Sequence, residues 1–153
     1  MEINTRIADF TLQTDEDKTV SLSDYMGHPV VLFFYPRADT PGCTIEACGF
    51  RDHYGQLTRA GLTVLGISPD TAKAQKKFQE KFTLPYTLLA DADKQVAQLF
   101  GVLKEKNMYG KKVMGIERTT FLIAPDGTIA QVWRKVKPEG HAEQILAEAK
   151  SHK

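Results

Sequence analysis

Apolar positions in this chain fall into short uninterrupted runs that alternate with amphipathic stretches. VVLFFY (Val30 to Tyr35) is continuous over strand length, the pattern of a strand buried on both faces. LTVLGIS (Leu62 to Ser68) has the same character, YTLLA (Tyr86 to Ala90) is a shorter candidate, and RTTFLI (Arg118 to Ile123) a further central one. The turn PDGT (Pro125 to Thr128) leads into IAQVW (Ile129 to Trp133), which predicts a hairpin. Helical spacing lies between these runs. Thr71 to Phe82 carries Ala74, Phe78 and Phe82 at four-residue steps, Lys94 to Phe100 is stopped by Gly101, and Gly140 to Lys150 sets Ile145, Leu146 and Ala149 along one stripe. This alternation predicts an α/β sandwich with a mixed central sheet flanked by helices. No repeat, low-complexity stretch or linker divides the chain, so one domain over residues 1–153 is expected.

The segment after the first long run carries the most information. On a helical wheel, Ala47, Phe50, Tyr54 and Leu57 fall within about 80° of one another, and Cys43 lies in the same sector. The spacing predicts a continuous helix from about Pro41 to Leu57, with Cys43 facing the protein body in its first turn. Thr40 is the candidate N-cap, Pro41 takes the favoured first position, and Gly42 follows.

Composition narrows the function classes. With 153 residues, 42% hydrophobic and 25% charged, the chain can build one ordinary hydrophobic core. A net charge of +1 gives no electrostatic reason to expect nucleic acid or an anionic membrane as partner. The basic stretch KEKNMYGKK (Lys104 to Lys112) contains a glutamate and no sustained apolar period, and reads as a solvated loop. MEINTRIADF lacks the apolar core of a signal peptide, and no run is long enough to span a bilayer. The expected compartment is therefore the cytoplasm or one similarly reducing. There, the two cysteines, Cys43 and Cys48, point to reactivity or metal binding before a permanent staple.

A thiol at a helix start is chemically unusual. The unpaired N–H groups and the positive end of the helix dipole favour the thiolate, which is the nucleophilic form. Small residues at Gly42 and Thr40 leave room for a substrate. The alternative is that Cys43 is a small buried hydrophobe. Five residues along a helix place two Cα atoms roughly 8.7 Å apart with diverging side chains, whereas a disulfide needs about 7 Å or less. An intact helix thus excludes the bond, and a transient one requires unwinding. Cys48 itself is either a packed residue on a second face or a resolving thiol. His28, His53, His141 and His152 show no zinc-ligand spacing to the cysteines, Cys-x-x-Cys is absent, and nothing around the histidines supports a cysteine protease.

FYPRADTPGCTIEACGFRD (Phe34 to Asp52) resembles the active-site segment of the peroxiredoxins, specifically the PrxQ or bacterioferritin comigratory group. The motif Pro-x-x-x-Thr/Ser-x-x-Cys is matched by Pro36, Thr40 and Cys43, and Cys48 stands where many members carry a resolving cysteine. ADFTL, VLGIS, FGV and ERTTFLI with its following DG extend the similarity along nearly the whole chain. The resemblance implies a thioredoxin-like three-layer sandwich and a thiol peroxidase without cofactor, metal or haem, acting on hydrogen peroxide and alkyl hydroperoxides. It implies that Cys43 is the peroxidatic thiolate that becomes a sulfenic acid, and that Thr40 orients the peroxide. The backbone N–H groups of Gly42 and Cys43 would steady developing charge, Pro36 would shield the site, and Arg118 would stabilise thiolate and peroxide. Cys48 would then condense with the sulfenic acid to a disulfide that thioredoxin or a glutaredoxin-like protein reduces. Arg51, at the edge of the stripe, either supports the site or forms a surface ion pair. The expected state is a monomer, with a weak homodimer as the alternative. Two other readings are a peroxide-sensing switch that binds a partner through the oxidised, unwound segment, and a dithiol oxidoreductase acting on protein disulfides.

Overall fold

A computed structural model describes residues 2–151, the side chains at 106, 108, 150 and 151 excepted. His152 and the outermost ends of the expected domain lie outside the described residues. In chain order the elements are β1 (Thr11–Thr14), β2 (Thr19–Ser21), a 3₁₀ turn (Leu22–Tyr25), β3 (Val30–Phe34), α1 (Pro41–Asp52), α2 (Tyr54–Arg59), β4 (Thr63–Ser68) and α3 (Ala72–Phe82). There follow β5 (Thr87–Ala90), α4 (Gln95–Leu99), β6 (Leu103–Met108), β7 (Lys111–Ile116), β8 (Thr119–Ile123), β9 (Ile129–Trp133) and α5 (His141–Ser151).

Every residue of VVLFF in β3 is buried, as its unbroken apolar run requires, because β3 sits between β4 and β8 in a seven-stranded sheet of order β2-β1-β5-β4-β3-β8-β9. β3, β4 and β5 run parallel, while β8, β9, β1 and β2 pair antiparallel. Alternate side chains of β3 feed two separate cores. Val31 and Phe33 face a cluster with Cys43, Ala47, Phe50, Leu57, Phe78 and Ile145 from α1, α2, α3 and α5. Val30, Leu32 and Phe34 face a second cluster with Val96, Ala97, Phe100, Ile116 and Ile7. Helix layers on both faces of a mixed sheet make the α/β, thioredoxin-like sandwich that the sequence predicts.

Three departures from the expected elements have local causes. The expected helix to Leu57 is interrupted at His53 (φ −107°, ψ 9°), whose ring Nδ1 lies 2.9 Å from the Gly49 carbonyl that its own backbone N–H also reaches. Phe50, Tyr54 and Leu57 still face one cluster, so the stripe survives the break. The stretch Lys104 to Lys112 is no loop: it lies in the hairpin β6–β7, closed by Tyr109 (φ +53°) and Gly110 (φ +77°). Positive φ at both central residues is the two-residue turn that matches strand twist, and this supplies a register that the polar composition conceals. Finally, β1 and β2 form at the sheet edge, where the short polar-rich segment gave no periodic signal.

Candidate active site

The register of the sheet explains how distant residues meet. Phe34 at the end of β3 pairs with Thr119 at the start of antiparallel β8, so Arg118, one residue earlier, stands beside the end of β3. The chain leaving β3 passes buried Tyr35 and half-buried Pro36, turns at Asp39 (φ +61°) and enters α1 at Pro41. The turn is held from outside. Ala38 N–H donates to Asp70 Oδ2 at 2.7 Å, and Lys81 Nζ donates to both Asp39 oxygens at 3.1 and 2.9 Å.

Thr40 has the extended backbone of an N-cap, and its carbonyl accepts the first intrahelical bond from Thr44 at 2.8 Å. Its side chain, however, does not cap the helix. The hydroxyl donates instead to the Arg37 carbonyl at 2.9 Å, which leaves its own lone pairs available as acceptors. The N–H groups of Gly42 and Cys43 therefore have neither an intrahelical acceptor nor a capping side chain.

Cys43 is 1% exposed, and Arg118 Nη2 donates to its sulfur at 3.3 Å. The approach is close because residue 42 is glycine: a Cβ there would lie 3.1 Å from Arg118 Nη2 and 3.6 Å from Pro138 Cγ. The other arm of the guanidinium, Nη1, donates to Glu46 Oε1 at 2.9 Å. Burial works against the charge of Arg118, but the neighbouring Glu46 and Cys43 outweigh it and raise its pKa. Glu46 is itself buried, and its Oε2 has no hydrogen-bond partner. Burial pushes its carboxyl up to about 7 against the pull of Arg118.

Glu46 is the residue that sequence reasoning missed. It lies three positions after Cys43 and about 60° round the wheel, beside the apolar sector, where a carboxylate is conspicuous. Of the residues singled out, Cys43, Thr40, Gly42 and Arg118 converge at the start of α1, and half-buried Pro36 lies in the chain just ahead of the turn. Arg51 does not join them: its Nη1 donates to the Phe82 carbonyl at 2.8 Å and its Nε to Asp52 at 3.0 Å. Cys48 is half-buried in the same helix as Cys43, and both thiols are free. Burial raises the Cys48 thiol pKa, with Arg51 opposing and Asp52 adding.

A buried sulfur at a helix N-terminus, one charged donor on it and free N–H groups beside it can support an anionic nucleophile. The AhpC/TSA family model matches residues 3–132. The chain belongs to the AhpC/TSA family. It is 44% identical to Peroxiredoxin Bcp of Bacillus subtilis over 146 residues, 95% of this chain and 93% of the relative. Among solved structures it is similar to a Cys→Ser mutant of Xylella fastidiosa PrxQ, with a TM-score of 0.94 at 38% identity over 99% of this chain and 97% of that one. It also resembles the bacterioferritin comigratory protein of Xanthomonas campestris, with a TM-score of 0.89 at 41% identity over 94% and 91% of the two chains. That protein was solved as trapped-intermediate and ligand complexes bearing on its alkyl peroxide reduction activity. Within the AhpC/TSA family this chain is a peroxiredoxin of the Bcp/PrxQ kind, a peroxidase and an oxidoreductase. Among the described residues no helix is long and apolar enough to cross a membrane.

Proposed function

We propose that this peroxiredoxin reduces hydrogen peroxide and alkyl hydroperoxides through Cys43, and that Cys48 resolves the product within the same chain. The observation that carries the reading is the 3.3 Å contact of Arg118 Nη2 on Cys43 Sγ at the first turn of α1. The Cys43 thiolate attacks one peroxide oxygen, the O–O bond breaks, and the leaving oxygen departs as water or an alcohol once protonated. Sulfur is oxidised to the sulfenic acid as the peroxide is reduced. Thr40 accepts from the hydroperoxide O–H and aligns it, the N–H groups of Gly42 and Cys43 and the Arg118 fork meet the charge that develops, and Pro36 closes the site to water. The Cys48 thiolate then attacks the sulfenic sulfur, forming the Cys43–Cys48 disulfide and releasing water. A dithiol of the thioredoxin or glutaredoxin type reduces that bond and leaves as its own disulfide. The alkyl peroxide activity of the Xanthomonas campestris relative supports the inclusion of organic substrates.

The test is NADPH consumption coupled through thioredoxin reductase and thioredoxin, with hydrogen peroxide and an alkyl hydroperoxide offered in turn. Cys43→Ser is expected to abolish peroxide consumption. Cys48→Ser is expected to complete one turnover and accumulate a trappable sulfenic acid. A Cys48→Ser protein that fails to react, beside a Cys43→Ser protein that still does, reverses the two roles.

A further inference from the structure

Tyr86 has no part in the peroxide chemistry, yet its phenol reaches the segment between the two cysteines. Its hydroxyl donates to the Ala47 carbonyl at 2.6 Å, a bond spanning 39 residues of sequence. That carbonyl belongs to the same rigid peptide group as the N–H of Cys48. The ring cannot follow the helix if α1 moves. It stands at the entrance to β5, 5% exposed, edge-on to Phe33 at 5.7 Å and tilted against Tyr54 at 6.1 Å. Phe33 is itself fixed in the central strand β3. The donor is thus anchored to the sheet and the acceptor rides on α1.

We propose that Tyr86 is a positioning residue for the resolving step, a latch that holds the Ala47–Cys48 peptide in the helix and sets how readily Cys48 swings out to meet oxidised Cys43. The inference rests on the proposed Cys43–Cys48 resolution. Unwinding the turn that carries Cys48 takes the carbonyl away from a phenol buried in the fold, and that hydrogen bond is lost. The latch therefore opposes unwinding in addition to the helix's own bonds. Burial holds the phenol protonated, with Glu46 and Cys48 nearby adding to that effect, so it remains a donor. A stronger latch lengthens the life of the sulfenic acid, and a longer life gives a second peroxide more time to oxidise it to the sulfinic acid.

Tyr86→Phe keeps the ring and removes only the donor. Rapid quenching after one equivalent of peroxide is expected to show unchanged sulfenic acid formation and a roughly two- to tenfold faster appearance of the disulfide, the worth of one hydrogen bond. The sulfinic fraction at excess peroxide falls by a similar factor. Amide exchange on the reduced protein is expected to quicken at residues 44–51 while β3 and β4 keep their protection. A disulfide rate that is unchanged or slower overturns the latch, as does a loss of protection spread evenly over the whole chain. If the parent protein forms no Cys43–Cys48 disulfide at all, the proposed function fails instead. In that case the exchange arm still decides whether Tyr86 restrains α1.

Discussion

One guanidinium at the start of α1 is shared between two groups that both want it charged. Arg118 gives Nη1 to Glu46 and Nη2 to Cys43. Arg118→Ala is expected to slow peroxide attack roughly ten- to hundredfold, the worth of a lost charge-assisted hydrogen bond, in a stopped-flow assay with limiting peroxide. An unchanged rate would take Arg118 out of the chemistry. Glu46 makes a separate prediction about stability. Burial raises its carboxyl from 4.5 to about 7 in the fold, so between those pH values the folded state holds a proton that the unfolded state has lost. Its contribution is therefore fully present below pH 4.5 and falls away as pH rises through about 7. Relative to Glu46→Gln, which does not titrate, the parent protein is expected to lose about 3 kcal/mol across that interval, read from urea midpoints at both ends. Parallel pH profiles for the two proteins would mean that Glu46 stays ionised throughout. The helix-start pattern pointed to Cys43 and Thr40 in the sequence, whereas Pro36 and Arg118 entered only through the family resemblance. The Glu46–Arg118 pair was not legible there, because a carboxylate beside an apolar stripe reveals its burial only when the partner strand is known.

Among the elements, α3 was the most legible, since Thr71 caps it through a bond from Ala74 N–H at 3.2 Å and Phe78 faces the core. The break at His53 was hidden, because a side chain folding back on its own helix leaves the apolar period intact. The hairpin β6–β7 was hidden for the opposite reason. It is set by turn geometry and backbone pairing, which a run of mixed polar residues does not announce. The unbroken span from Pro41 to Asp52 matters most for function. Over that span two cysteines five residues apart cannot bond, so oxidation by one equivalent of peroxide is expected to unwind at least the turns that carry them. Helical circular dichroism should fall, and amide exchange at residues 43–50 should quicken in the oxidised form while α3 and the central strands hold. Equal protection in both redox forms would require Cys43 to be resolved by a thiol of another molecule.

At the scale of the whole molecule, the site exists because of strand order, which the sequence does not display. Alternation of runs and stripes announced an α/β sandwich, but nothing in RTTFLI says that it lies antiparallel beside β3, and only that choice brings Arg118 to the end of the strand that launches α1. The same central strand ties the helix layer to the sheet. Phe33 stacks on Phe50 of α1 at 4.6 Å and meets Tyr86 edge-on, and it can lie flat there because β4 carries glycine at position 66. A Cβ on Gly66 would fall 2.8 Å from Leu88 Cδ2 and 2.9 Å from Phe33 Cζ, closer than side chains pack. Gly66→Ala is therefore expected to cost about 1–3 kcal/mol through overpacking, seen as a lower urea midpoint with an unchanged slope. Leu88→Ala also destabilises, by leaving a cavity, yet it vacates the space that the new methyl needs. The double variant should accordingly lose less than the sum of the two single losses, because each change relieves part of the other's strain. Strict additivity would show that the sheet takes up the methyl away from Leu88, against the close contact that the geometry gives.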